Sequence, residues 1–413
     1  MKAIIIGGGI IGMSTAFYML AEGYEVTIID STNIDNNCSF GNMGMIVPSH
    51  FVPLAAPGIV SQGLKWMLNS RSPFYVKPSL NGQLIKWGLQ FIKHANAQNV
   101  QQAALPLRDI NLLSKVLYTE MVEVLKEDVG LRKDGIIMYY QTPAVEHEEA
   151  RLASQAANMG LDVDILTKQQ VQALEPNAQA NVLGGVHYKC DAHLTPNKLM
   201  ARLKGYLQQR GVHFLTESEV TGIQTKQHSI QSVRTKKGEH TADIYVLAAG
   251  SWSPQLAKMA GVKVPLMPGK GYSVTLQQPT ATLNIPAILC EARVALTPMQ
   301  AQLRYGGTME LTTINQQVNM RRVEGIVNSI QRYFPGLGIT MPKQEEVWFG
   351  YRPCSPDGLP LIGYAKGCNN LVVAAGHAMM GLSLGPATGK LITELITGKQ
   401  TSIATTAFDP NRF

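Results

Sequence analysis

The first thirty residues constrain this chain more than any other stretch. Gly7-Gly8-Gly9-Ile10-Ile11-Gly12 follows the apolar run Lys2 to Ile6 and opens a segment patterned as a helix to about Gly23. A second run, Glu25 to Ile29, then ends at Asp30. Apolar runs without alternation read as strands covered on both faces, as in a parallel sheet. G-x-G-x-x-G has meaning in that strand–helix–strand setting. Gly7 permits the tight turn, Gly9 lets backbone approach a pyrophosphate, and Gly12 allows close helix-to-strand contact. The first helical turn, at Ile10 and Ile11, faces the phosphates. Asp30, followed by Ser31, accepts hydrogen bonds from a ribose 2′-hydroxyl and repels a 2′-phosphate, which disfavours NADP.

A chain of 413 residues is long enough for one large domain or two joined ones. The five cysteines (Cys38, Cys190, Cys290, Cys354, Cys368) are odd in number, widely spread and without C-x-x-C. That points to a reducing cytoplasm and away from a disulfide framework or cysteine-rich zinc site. No apolar run reaches membrane-spanning length, and glycines stand where a signal peptide needs its apolar centre. The net charge of +7 is localised: residues 36–108 hold no Asp or Glu but carry Lys65, Arg71, Lys77, Lys86, Lys93 and Arg108. The same stretch holds Trp66, Trp87, Phe51, Met67, Leu68, Phe74, Tyr75 and Phe91. Basic residues among aromatics mark a membrane-surface patch or, less often, a nucleic-acid face.

Helices are expected at 108–128, 144–159, 197–211, 322–333 and 385–397. Strands are expected at 135–140, 212–215, 242–248, 272–276, 303–306, 347–351 and 370–375, with a hairpin over 219–235. From Ile46 to Pro106 the prolines read as irregular structure, interrupted by Leu80, Leu84, Trp87 and Phe91 at helical spacing. His187, Cys190, Asp191 and His193 are of metal-ligand type but form no closed tetrahedral pattern, so no metal is expected.

NAD and FAD proteins share the glycine fingerprint, so the choice rests on other segments. Val246 to Trp252 is a buried strand ending in small residues, including Ala249 and Gly250. Asn370 to Leu382 is a second strand, ending in a glycine loop that carries Gly376, His377, Met379, Met380 and Gly381. Ser39 to Ile46, with Asn42, Met43, Gly44 and Met45, lies shortly after Asp30. With these motifs the sequence resembles the FAD-dependent D-amino-acid oxidase and glycine oxidase superfamily, most closely its bacterial D-amino-acid dehydrogenase branch. Pro268 to Tyr272, Arg304 to Gly307, Gly350 to Gly358 and Pro386 to Gly389 also match family signatures, and the resemblance covers nearly the whole chain. Ala55 to Gly58 and Lys65-Trp66-Met67 resemble the dehydrogenase branch. One departure is His50-Phe51, where that branch is expected to have Tyr-Ala.

The resemblance implies an α/β (α+β) fold: a discontinuous Rossmann-like FAD-binding domain (1–50, 150–260, 350–413) and a substrate domain (51–149, 261–349) with a mainly antiparallel sheet and helices. It implies a non-covalent FAD, with 42–46 beside the flavin ring and Val220 at the adenine. It implies oxidative deamination of D-amino acids by hydride transfer from Cα to flavin N5. Arg352 is then the carboxylate clamp, because a planar guanidinium grips an acid group through two parallel charge-assisted bonds. The other reading of Arg352 is a structural pair with Asp357. Tyr272 supplements the clamp or packs. His50 recognises a polar substituent or makes a turn hydrogen bond, which leaves room for cyclic substrates such as D-proline or cis-4-hydroxy-D-proline. His377 polarises the flavin or packs, and the helix after Met380 directs its dipole toward charge developing on the ring.

An amino-acid substrate, a quinone acceptor and peripheral contact with the inner face of the plasma membrane through 51–94 follow as expectations, with no nucleic-acid partner. Two other readings stay open: an oxygen-dependent glycine or sarcosine oxidase, and a non-catalytic FAD-binding subunit or nucleic-acid-modifying relative. Arg352 argues against the last pair, since a pure binding module needs no clamp.

Overall fold

A computed structural model of the chain describes residues 1–67, 69, 71–76 and 82–413. Leu68, Lys77, Pro78 and Leu80 lie outside the described residues. The strand Lys2–Ile6 sits inside a six-stranded sheet ordered Leu361–Tyr364, Leu371–Ala375, Ile244–Leu247, Lys2–Ile6, Glu25–Ile29, His213–Leu215. All pairs are parallel except the antiparallel edge pair formed by the first two strands.

Both faces of this sheet are covered, which is why its strands show no alternation. Ala3, Ile5 and Ile28 pack with the helices Ile10–Ala21 and Gly385–Thr397. Those helices touch because Gly389 has no side chain: a Cβ there would fall 2.5 Å from the backbone of Ser14. On the other face Ile4, Ile6 and Leu247 pack under an antiparallel meander, Val220–Lys226, Ser229–Thr235 and Gly238–His240. This is the Rossmann-like part of an α/β fold, as expected.

The second large sheet is mixed and mainly antiparallel. Its order is Trp348–Cys354, Met267–Leu276, Gln302–Leu311, Val294–Met299, Ala287–Leu289, Ile136–Tyr140, Gly184–Tyr188, Val163–Thr167, with Phe74–Val76 also pairing Gln302–Leu311. The helix Met320–Tyr333 buries Val323, Ile326 and Ile330 against it.

The element order departs from the expectation in two places. Much of 46–106 is helical: helices span Ile59–Met67 and Gly82–His94, and a third runs Ala97–Leu125 straight through Pro106. Asn96 caps that third helix, accepting from Asn99 N–H at 2.9 Å. Its buried stripe, including Ala103, Leu107, Ile110, Leu117 and Tyr118, belongs to the core beside the six-stranded sheet. Tertiary burial there outweighs the single backbone donor that proline removes. The strands Val163–Thr167 and Gly184–Tyr188 fall within 150–260, yet they pair with each other, and Gly184–Tyr188 pairs with Ile136–Tyr140, in the second sheet.

Candidate active site

Residues from both sheets line one cavity of about 2210 Å³. That exceeds the roughly 300–1,000 Å³ of a usual small-molecule pocket, so there is room for a dinucleotide and a substrate together.

At the nucleotide end, Gly7 adopts φ +113° and passes so close to Ala248 that a Cβ would lie 2.4 Å from its carbonyl oxygen. Gly12 presses on Gly7 itself, with 1.9 Å left between a Cβ and the Gly7 oxygen. The helix Ile10–Ala21 begins at Gly9 with no side-chain cap from that residue and no acidic residue in its first turn, so its positive pole is not neutralised. Ser39 Oγ accepts from Ile10 N–H at 3.0 Å. Asp30 accepts from Gly8 N–H at 2.7 Å and from the amide and hydroxyl of Thr32 at 2.8 and 2.7 Å, which orients its carboxylate at the strand end.

Gly7, Gly9, Ile10, Ile11, Asp30, Ser31, Ser39, Val220, Ala249, Gly250 and Trp252 all line the cavity. So do Asn42, Met43, Met45, His377, Met379, Met380, Gly381 and Leu382. Gly12, Gly44, Ile46 and Gly376 stand behind its wall. Gly44, at φ +76°, lies against the Leu194 carbonyl, and Ile46 pairs with Ala192. Gly376, at φ +79°, packs on Leu266 and Leu361. Arg304 holds the 39–46 loop by donating to the carbonyls of Phe40 and Asn42 at 2.8 and 2.6 Å.

At the other end, Arg352 lies on the strand Trp348–Cys354, and its guanidinium covers Gly271. Nη1 donates to the Thr308 carbonyl at 2.6 Å; Nε and Nη2 have no partner among the described residues. Asp357 does not pair with it. That carboxylate instead takes Arg412, through Nε at 2.6 Å and Nη2 at 3.0 Å. Burial works against the Arg352 charge, and no carboxylate among the described residues offsets it. An anion in the cavity would offset that charge.

Tyr272 is buried at the cavity wall, and its hydroxyl donates to Glu310 at 3.2 Å and accepts from Asn319 N–H at 3.2 Å. His50 lines the cavity with Nδ1 3.1 Å from Ser49 Oγ. Burial, then the charge of Arg293, pushes its pKa down to about 4. The His377 ring is 3.0 Å from Thr388 Oγ1, and burial lowers its pKa to about 3, so it is neutral. His187 binds the Asp134 carbonyl at 2.8 Å, away from Asp191.

Comparison with known proteins decides the class. A family model described as FAD dependent oxidoreductase matches residues 2–395. The chain belongs to that family. A D-amino acid dehydrogenase from Helicobacter pylori is 31% identical over 95% of this chain and 94% of its own length. Among solved structures, glycine oxidase from Geobacillus kaustophilus superposes with a TM-score of 0.80 at 22% identity, covering 100% of this chain and 99% of its own. L-Proline dehydrogenase from P. horikoshii gives 0.75 at 21%, covering 100% and 97%.

As an FAD-dependent oxidoreductase the chain has the donors its cofactor needs. The helix N-terminus at Gly9 would suit a pyrophosphate, Asp30 would accept from a ribose, and the backbone of 42–45 and 379–382 would border a ring system. Side chains not singled out from the sequence also line the cavity: Ser49, Glu149, Arg293, Thr308 and Trp348. None stands in a recognisable motif; chain crossings bring them together.

Proposed function

We propose that this flavoenzyme dehydrogenates D-amino acids. The observation that carries the reading is Arg352, a half-buried guanidinium over Gly271 beside the cavity, with no partner for Nε or Nη2 among the described residues. Two parallel bonds to a carboxylate would fix both position and rotation of a substrate. When bound, FAD supplies the electron-accepting chemistry. The chain itself grips the acid group, excludes water with Met43, Met45 and Phe51, and leaves the amine uncharged for oxidation. The names of the relatives support a D-amino acid as substrate.

His50 in the wall, with Phe51 and Val52 beside it, supports a preference for cyclic substrates such as D-proline or cis-4-hydroxy-D-proline. We assign nucleotide binding to 1–50, 150–260 and 350–413 and substrate binding to 51–149 and 261–349, with 163–188 reaching across into the second sheet. Electron transfer to a quinone at a membrane surface completes the proposal. Trp87 does not serve that contact: it stacks on Phe91 at 5.0 Å and donates to the Cys354 carbonyl. Among the described residues there, Leu64, Ile85, Leu89 and Ile92 are the large apolar residues more than half exposed, next to Lys65, Lys86 and Lys93. No described helix is long and apolar enough to cross a membrane.

The test is anaerobic bleaching of the flavin absorbance by a panel of D- and L-amino acids, prolines included. Bleaching by D-isomers alone is expected. Silence toward every amino acid, or reduction by L-isomers only, would overturn the reading. Peroxide yield against dye reduction separates a dehydrogenase from an oxidase.

A further inference from the structure

Asp191 is a fully buried carboxylate without an ion pair among the described residues. Its Oδ1 accepts from Ser49 N–H at 2.9 Å and its Oδ2 from Ser49 Oγ at 2.5 Å. The nearest lysine, Lys115, donates instead to the neighbouring Cys190 carbonyl, and Cys190 Sγ stands 3.5 Å from Oδ1. Held this way, the ionised carboxylate accepts the hydrogen bond of the Ser49 hydroxyl.

A serine hydroxyl has a single proton to donate. With that proton spent on Asp191, Ser49 Oγ can only accept from His50 Nδ1, 3.1 Å away. While Asp191 is ionised the ring is therefore the Nδ1–H tautomer, and Nε2 keeps its lone pair. No described residue bonds Nε2, and His50 lines the cavity. Burial and then the charge of Arg293 hold the His50 ring neutral. Arg293 also disfavours a cationic donor at this point.

We propose that Asp191 and Ser49 are positioning residues that lock His50 as a hydrogen-bond acceptor, and that its Nε2 selects substrates bearing a hydroxyl on the side chain. The substrate half of this rests on the amino-acid reading above; the tautomer half does not. Burial raises the Asp191 pKa to about 7, with Ser49, Cys190 and Lys115 opposing, so the ionised, accepting form gains as pH rises past neutrality.

Nitrogen-15 NMR of histidine-labelled, FAD-loaded protein reads the tautomer directly, with His50 assigned from the signal missing in His50→Gln. Above neutral pH, where Asp191 is ionised, the wild type should show protonated Nδ1. In Asp191→Asn the new amide donates to Ser49 Oγ, the serine hydroxyl turns to Nδ1, and the proton should move to Nε2. Ser49→Ala, which removes the Nδ1 acceptor without altering the carboxylate, should also lose the Nδ1–H preference. In parallel, kcat/KM is compared for cis-4-hydroxy-D-proline against D-proline and for D-serine against D-alanine. The wild type should favour the hydroxylated member of each pair, and Asp191→Asn should cut that ratio by about tenfold or more.

An Nε2–H ring in the wild type, or a tautomer unmoved in both variants, would overturn the relay. A moved tautomer with an unmoved ratio would overturn the recognition role. If no amino acid reduces the wild type, the functional reading and the substrate half fall together, while the NMR result still decides the relay.

Discussion

The guanidinium of Arg352 rests against the backbone of Gly271, where a Cβ would come within 2.1 Å of Nη1 and 2.4 Å of both Cζ and Nη2. The two strands are antiparallel neighbours, with Gly271 opposite Gly350 and Arg352 opposite Gly269. Gly271 has no left-handed backbone to protect. Its missing side chain is what leaves space for the fork. Gly271→Ala should therefore displace the guanidinium and lower kcat/KM by on the order of 100-fold, mostly through KM, with flavin content unchanged. Steady-state kinetics beside the flavin-to-protein absorbance ratio checks this.

Arg352→Lys keeps the charge but replaces a planar fork with a point donor. Loss of one charge-assisted bond, about 1.5–3 kcal/mol, should weaken substrate capture by roughly 10–100-fold while FAD stays bound. Turnover equal to the wild type would remove Arg352 from the clamp.

Gly12 has a different role, since it shapes the turn from behind the wall. A methyl group at this position would lie 1.9 Å from the Gly7 oxygen and 3.2 Å from Ile5 Cγ2. Gly12→Ala should yield protein that purifies with little FAD and rebinds it weakly, measured by flavin fluorescence on titration.

His377 should make stability depend on pH in the acid range. Its folded pKa, about 3, lies below the unfolded value near 6.5, because burial penalises the charged ring. The unfolded chain then binds the extra proton, so this contribution is complete above pH 6.5 and is lost as pH falls toward 3. Relative to His377→Gln, the wild-type Tm should fall progressively below pH 6.5 and run parallel above it. Thermal melts of both proteins from pH 4 to 8 test the sign.

Leu89 and Ile92 are 66% and 57% exposed on the helix Gly82–His94. If this face meets a membrane, replacing both with Glu should reduce sedimentation with anionic vesicles by at least about tenfold, because burial of each side chain contributes roughly 1.5–3 kcal/mol. Bleaching by substrate should be retained.

Much of this was legible along the chain because the relevant physics is local. Gly7, Gly9 and Gly12 follow a strand and open a helix, and Asp30 ends the next strand, all within one short stretch whose strands are apolar on both faces. Arg352 was marked by its own motif. The helix through Pro106 was not legible, since proline's local cost is overcome only by a core that Leu107, Ile110 and Tyr118 share with distant Leu382 and Ala387. Whether Trp87 faced a membrane surface or the core stayed open along the chain, until the Cys354 carbonyl, distant in sequence, gave its indole a partner.

The sequence by itself determined the nucleotide fold and the chemical class of cofactor, because close backbone approach requires glycine and a ribose requires a carboxylate at set spacings. Only the tertiary structure decided which partners the polar side chains received. Asp357 went to Arg412, Tyr272 to Glu310 and Asp191 to Ser49, and Arg352 was left open to the cavity. Hydrogen bonds and ion pairs act over a few ångströms, and strands far apart in sequence must first be brought into register before those distances exist.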